Sequence, residues 1–484
     1  MVKSKVNKNL VLFIIALAQF MVVLDTAIVN VALPAIAKGL KYADPSSLQW
    51  VVTAYTLAFG GFLLLGGRAA DLFGRKKIFL FGTVLFSIIS FFCGIAQSEL
   101  MLDLARGAQG FAAAFMSPAA LSIILTTFAE GKERNRALGI WGAIAAGGAA
   151  AGVLIGGVLT QYLDWRWNFF VNVPVGIFVI LMTLKYVPES KADLKHRNLD
   201  ALGAVSVTSG LMLLVYGLTK APQLGWSDST TLSYLIPSVA LLLFFIWNER
   251  RAKHPLMPLS IFKIRNVSGA NLTQLPLIAG MFAMFFFLTL YMQNVLGYSP
   301  VKTGLAYLPI TVIIGIVSTV ISKYIVKIGF KIPMVAGSAL LAIGLWMLGY
   351  VDVNGTYWGD IFPGLAILSV GLGLTFVSVT IAATNGVPEK ESGLASGLLN
   401  TSQQIGGALG LAILSGVASS ATATYLMING SGGNNGLQAQ VEGFQDAFIA
   451  GAWLTLSAIV LTIVFIKHKK DDKIEHNVAK SIGV

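Results

Sequence analysis

The chain has 484 residues, of which 56% are apolar and only 12% charged. A soluble domain carries about twice that charged fraction, so a globular fold surrounded by water is excluded. The net charge of +12 would suit nucleic acid in a soluble protein, but here the basic residues sit in short segments between long apolar blocks. That distribution belongs to a polytopic membrane protein and speaks against a nucleic-acid partner.

The apolar blocks predict fourteen helices near 10–33, 48–67, 78–96, 100–128, 138–160, 169–186, 199–219, 232–248, 267–293, 304–326, 332–351, 361–383, 393–420 and 446–466. Each is long enough to cross about 30 Å of hydrocarbon. None alternates as a strand would, and backbone amides in lipid must pair internally, so helices are the expectation. The N-terminal Lys3, Lys5 and Lys8 imitate a signal peptide. The apolar run after them is too long and contains Asp25, which predicts a retained first helix.

Helix one carries Asp25, five residues before Asn30. A carboxylate deep in a lipid-spanning helix is costly and points to an ion path, with Asp25 as a group able to take up and release a proton. The loop after helix two, Gly67 to Lys77, holds Asp71 between Gly67 and Gly74, followed by Arg75, Lys76 and Lys77. Its charge sets topology, and Asp71 is placed to cap a helix start or to pair with the basic run. Helix four holds Arg106 and Gln109, with Asp103 one turn from Arg106 on the same face. Arg106 keeps its proton, so it acts on neighbouring carboxylates or on polar groups in a cavity, and Asp103 is read as a structural ion partner. In helix five, Gly148, Gly152 and Gly156 recur every four residues, with Gly157 beside them. Such a stripe lets another helix pack closely or slide.

A basic segment at 185–198 separates the first six helices from helices seven and eight. A second at 249–266 precedes the last six. The division is therefore 1–198, 199–248 and 249–484. Helix nine contains Phe285 and Phe286 in a run of Met and Phe, which could line an apolar pocket. After helix ten, Ser322 to Lys331 repeats the Gly and basic register of the loop at Gly67, a weak echo that suggests a duplicated half. Cys93 is the lone cysteine, and the four histidines, His196, His254, His468 and His476, all fall in loops or the tail. No metal site or other cofactor is expected, and an enzyme is disfavoured.

With the N-terminus inside, 28 of the 34 basic residues fall in inside segments and five (Lys38, Lys41, Arg166, Lys220, Lys302) outside, with Arg106 within a helix. The bias puts both termini in the cytoplasm.

Leu24 to Pro34, Gly67 to Lys77, Leu104 to Gly110, Trp165 to Pro174 and Gly397 to Gly407 together resemble the motifs of the major facilitator superfamily, specifically its fourteen-helix drug:proton antiporters. The resemblance implies two six-helix bundles plus two extra helices in a bacterial plasma membrane. It implies a monomer that exports lipophilic small molecules by alternating access, with the proton gradient as the energy source. Asp25 would couple to protons with Arg106 as helper, and Gly67, Asp71, Gly74 and Arg75 would form a conformational latch. Asn30, Gln109, Phe285, Phe286 and Gln403 are the candidates for the substrate cavity.

The chain departs from the family pattern in three places. Val153 stands where a Pro usually follows Gly152, Leu72 follows Asp71 in place of a basic residue, and Gln403 replaces an Arg. Helix ten contains no acidic residue, which favours a neutral or weakly charged substrate. The alternative is a transporter of the same fold that moves an endogenous metabolite or lipid, without proton coupling.

Overall fold

In the computed structural model of the chain, residues 7–40, 48, 50–190, 200–253, 255–430, 432 and 435–467 are described. All four histidines and the basic residues of the tail beyond Lys467 lie outside them.

Fourteen long helices account for nearly all the described residues. They are α1 (Lys8–Leu40), α2 (Trp50–Phe73), α3 (Arg75–Gly94), α4 (Glu99–Thr127) and α5 (Lys132–Tyr162). Next come α6 (Trp167–Tyr186, broken by a turn at Val171), α7 (Ala201–Leu224) and α8 (Ser229–Arg251). The last six are α9 (Arg265–Leu290), α10 (Pro300–Ile328), α11 (Lys331–Leu348), α12 (Phe362–Thr384), α13 (Ser392–Asn429) and α14 (Asn435–Phe465). Thirteen of them are long and apolar enough to cross a membrane. α5 has a shorter apolar stretch, Ala151–Tyr162, within a helix of 31 residues. At about 1.5 Å per residue, that helix also exceeds the hydrocarbon thickness.

Several starts are written locally. Ser98 caps α4 through Met101 N, Asp200 caps α7 through Gly203 N, and Asp228 caps α8 through Thr230 N. Ser299 caps α10 just before Pro300, a residue that suits a first helical turn because its missing N–H would have had no partner there. Three helices run further than the apolar pattern predicts. α1 reaches Leu40, α13 reaches Asn429, and α14 begins at Asn435. Hydropathy marks only the strongly apolar part of a helix, and these extensions mix in polar residues such as Lys38, Thr422, Thr424, Gln438 and Gln440.

α1 to α6 pack on one another, as do α9 to α14. The two groups meet along α2–α13, α5–α10, α5–α12 and α4–α13. α7 pairs with α8 and lies against α2 and α13. The turns after α2 and α10 share a device: Gly74 has φ 114° and Gly329 φ 73°, a region that favours glycine. The weak sequence echo thus has a backbone counterpart.

The glycines of α5 serve two faces. A Cβ at Gly148 would lie 2.9 Å from Val23, one at Gly152 2.7 Å from Ala27, and one at Gly156 2.6 Å from Ile28. The stripe therefore holds α5 against the turn of α1 that carries Asp25. Gly157 is not part of it, and faces Val301 of α10. Gly152→Leu should force α1 and α5 apart at a cost of about 1–3 kcal/mol. A thermal-unfolding series in detergent should show the purified variant melting several degrees below the wild type. An unchanged melting temperature would mean that this contact is loose.

Candidate functional site

Five helices converge on Asp25, which is fully buried. The Arg106 guanidinium NH1 donates to Asp25 Oδ2 at 2.6 Å. Gln109 Nε2 donates to Asp25 Oδ1 at 2.9 Å, and so does Asn172 Nδ2, also at 2.9 Å. Arg106 Nε reaches the carbonyl of Val51 at 2.9 Å, and its plane lies 4.4 Å from the Tyr55 ring. Arg106 and Gln109 sit three residues apart on α4, hence on one face. Asn172 comes from α6, just past the turn at Val171.

The chemistry follows from the donor count. Asp25 accepts three N–H donors, the bonding of a carboxylate rather than of a carboxylic acid. Two unit charges taken out of water are tolerable only with good geometry and satisfied remaining valences, and this cluster supplies both. The ion pair spans 81 residues of sequence. Arg106 thus turns to Asp25 of α1, not only to its own helix, where Asp103 is half-buried.

A second polar cluster lies at the other end of the bundles, beside the basic loop of α2–α3. Asp71 and Arg75 are both buried and pair at 3.1 Å. Asp71 Oδ1 also accepts from Gly393 N and Oδ2 from Leu394 N, each at 3.0 Å. These are the free amides of the first turn of α13, where a carboxylate is favoured by hydrogen bonding and by the helix dipole. Asp71 therefore does both things its sequence position allowed: it caps a helix and pairs with a basic residue. Arg75 further donates to Ser122 Oγ at 2.8 Å and to the Glu389 carbonyl at 2.6 Å. Ser122 and Ser392 are hydrogen-bonded at 2.7 Å. Gly67 lets the α2 backbone touch Gly393 and Gly397 directly. Gly74 supplies the positive φ of the turn and abuts Glu189.

The described candidates for a substrate cavity have different surroundings. Gln109 belongs to the Asp25 cluster. The Phe285 ring lies 5.3 Å from that of Tyr307, tilted by 48°, Phe286 is 42% exposed, and Gln403 is half-buried. The side chain of Asn30 lies outside the described residues. A cavity of about 800 Å³ opens instead beside α13 and α14, lined by Trp226, Ile413, Tyr425 and Glu442 among others. Sequence reasoning missed Asn172, Ser90 and Tyr55. Ser90 and Tyr55 are ordinary residues for such helices. Asn172 did stand in a quoted motif, and an amide between apolar residues was the available signal.

Fold and site together define a polytopic α-helical membrane protein that keeps a charged pair out of water. Comparison with known proteins is specific. The Major Facilitator Superfamily sequence profile matches residues 15–411. The chain is 39% identical over 464 residues to a puromycin resistance protein of Streptomyces alboniger, covering 95% of this chain and 92% of that one. It is 38% identical to a cephamycin export protein of Amycolatopsis lactamdurans, covering 92% and 90%. Its fold is similar to that of a human organic anion transporter (TM-score 0.64, 14% identity, 95% of this chain and 100% of that one). It is also similar to a proton:xylose symporter of the superfamily (TM-score 0.65, 15% identity, 96% of each chain). The chain belongs to the Major Facilitator Superfamily. It is a multi-pass membrane transporter, not an enzyme, and its bacterial relatives fit a bacterial plasma membrane.

Removing one partner of a buried ion pair costs about 3–5 kcal/mol, because the other charge is left uncompensated. Asp25→Ala and Arg106→Ala should therefore each lower the melting temperature strongly. The double variant should lose much less than the sum of the two. A double-mutant cycle by thermal unfolding reads this, and strict additivity would mean that the two groups are not coupled.

Proposed function

We propose that the protein exports lipophilic small molecules, antibiotics among them, in exchange for protons entering the cell. The observation that carries the coupling is Asp25, fully buried and held by Arg106, Gln109 and Asn172. Of this ion pair Asp25 is the member that can take up and release a proton, since a guanidinium does not release its own. The export direction and the substrate class are supported by relatives whose names record resistance to puromycin and export of cephamycin. The absence of acidic residues from 304–326 favours neutral or weakly charged molecules over dications.

The coupling follows from electrostatics. A proton arriving on Asp25 cancels its charge and frees Arg106 from its strongest partner. The α1–α5 glycine contact then lets the turn bearing Asp25 shift against α5. At the basic end, the cap of Asp71 on α13 and the reach of Arg75 to Glu389 hold the two bundles shut. Breaking that latch opens the substrate path to the other side. Helix five keeps its close glycine contacts without the usual Pro, so Val153 leaves this packing intact. One charge crossing 100 mV yields about 2.3 kcal/mol. A membrane near 150 mV gives roughly 3.5 kcal/mol per proton, enough for a few-hundred-fold substrate gradient at about 1.4 kcal/mol per tenfold.

Everted membrane vesicles energised to an acid interior test this, with labelled puromycin as the probe. Wild-type vesicles should accumulate it. Asp25→Asn at equal expression should lose at least about tenfold of the uphill accumulation while still equilibrating the drug. Full accumulation by Asp25→Asn would remove the residue from coupling. If wild-type vesicles move no antibiotic and a deletion strain instead accumulates an endogenous metabolite, the metabolite transporter is correct.

A further inference from the structure

We propose that Asn172 is a positioning residue that, with Gln109 and Ser90, saturates one oxygen of Asp25 and so directs the exchanged proton to the other. The inference rests on the proton coupling proposed above, and deepens it to the level of single atoms.

Asn172 is buried, with 1% exposure. Its Nδ2 lies 2.9 Å from Asp25 Oδ1 and 3.1 Å from Ser90 Oγ. Gln109 Nε2 makes the same pair of contacts, at 2.9 Å and 3.2 Å. The two amides and the two oxygens close a ring. Their orientations are dictated by chemistry. A carboxylate only accepts, so each amide must turn its NH₂ to Asp25. Arg106 only donates, and its NH1 sits on Gln109 Oε1, which fixes the second amide independently. Ser90 gives its own proton to the Phe169 carbonyl at 2.9 Å, and this leaves its lone pairs free for the two amides. Both hydrogens of each NH₂ are then in use.

The two carboxylate oxygens are consequently unlike. Oδ1 holds two neutral donors anchored in α3, α4 and α6. Among the described residues, Oδ2 has one donor, Arg106 NH1. A proton on Oδ1 would face two N–H groups that have nowhere else to go. On Oδ2 it forms an O–H bond, breaks only the N–H···Oδ2 bond, and leaves Asp25 neutral and Arg106 still protonated. The freed guanidinium keeps the Val51 carbonyl, Gln109 Oε1 and the Tyr55 ring. The bond to Arg106 is the one that breaks on protonation, and the bonds of the amide ring are the ones that remain.

Removing a donor from a carboxylate favours its protonated form. The test follows the carboxylic-acid C=O stretch of purified protein by infrared spectroscopy across about pH 5 to 9, a window around neutrality. The Asp25 band is the one lost in Asp25→Asn. In Asn172→Leu its half-intensity pH should move up by about one unit, a tenfold change in proton affinity. Where Leu prevents accumulation of the protein, Asn172→Ala removes the same donor without bulk and should give the same shift. An Asp25 band that titrates at the wild-type pH in these variants overturns the role of Asn172 and leaves the coupling intact. A wild-type protein with no Asp25 band that titrates in this range overturns the coupling itself, and this inference with it.

Discussion

A charge cannot be kept away from water without a partner, and the arrangement of the N-terminal bundle answers that constraint. Asp25 and Arg106 sit out of solvent on different helices. Their pairing requires α1 and α4 to face each other across a gap that α2, α3 and α6 fill with a backbone carbonyl, a hydroxyl and an amide. The same constraint makes the site responsive. Cancelling one of the two charges alters the reason for the arrangement, and a structure held by such a pair has two states in reach.

The second cluster shows how a local event can matter at a distance. Asp71 and Arg75 belong to the first bundle, but three of their hydrogen bonds end on Glu389, Gly393 and Leu394 at the start of α13. Gly67 brings the two backbones into contact at the same place. The bundles are joined there by polar contacts to one helix end, beside an apolar contact in which Leu64 of α2 packs with Leu394 and Leu398 of α13. Near Asp25, by contrast, the α1–α5 seam is smooth: Val23, Ala27 and Ile28 lie on bare glycine backbone. A smooth seam tolerates small shifts of α1, whereas a capped helix end is either bound or free.

Much of this was legible in the residues, for physical reasons that differ from part to part. The helices could be read because lipid penalises every unpaired amide and every charge, so spans and loops separate cleanly. Asp25 and Arg106 stood out singly, since a charge in an apolar run is conspicuous. Their partnership comes from the family resemblance alone, because it links positions 81 apart while Asp103 lies nearer to Arg106 in sequence. Ser90 carries no signal of its own, and Asn172 only the weak one of an amide in a motif between apolar residues: amides and hydroxyls occur in many such helices, and only the fold says which ones converge. The extensions of α1, α13 and α14 were missed because helix outside the bilayer leaves no hydropathy signal. For the candidate cavity residues the sequence offers residue type alone, and type does not say which way a side chain faces.

The account stands on Asp25 giving up a proton when substrate arrives. Purified protein in weakly buffered detergent solution, titrated with puromycin and followed with a pH-sensitive dye, measures this without any membrane or gradient. Acidification that saturates with the drug, and that vanishes in Asp25→Asn, is the result the account predicts. Saturable drug binding with no proton released, or equal release from Asp25→Asn, would contradict it.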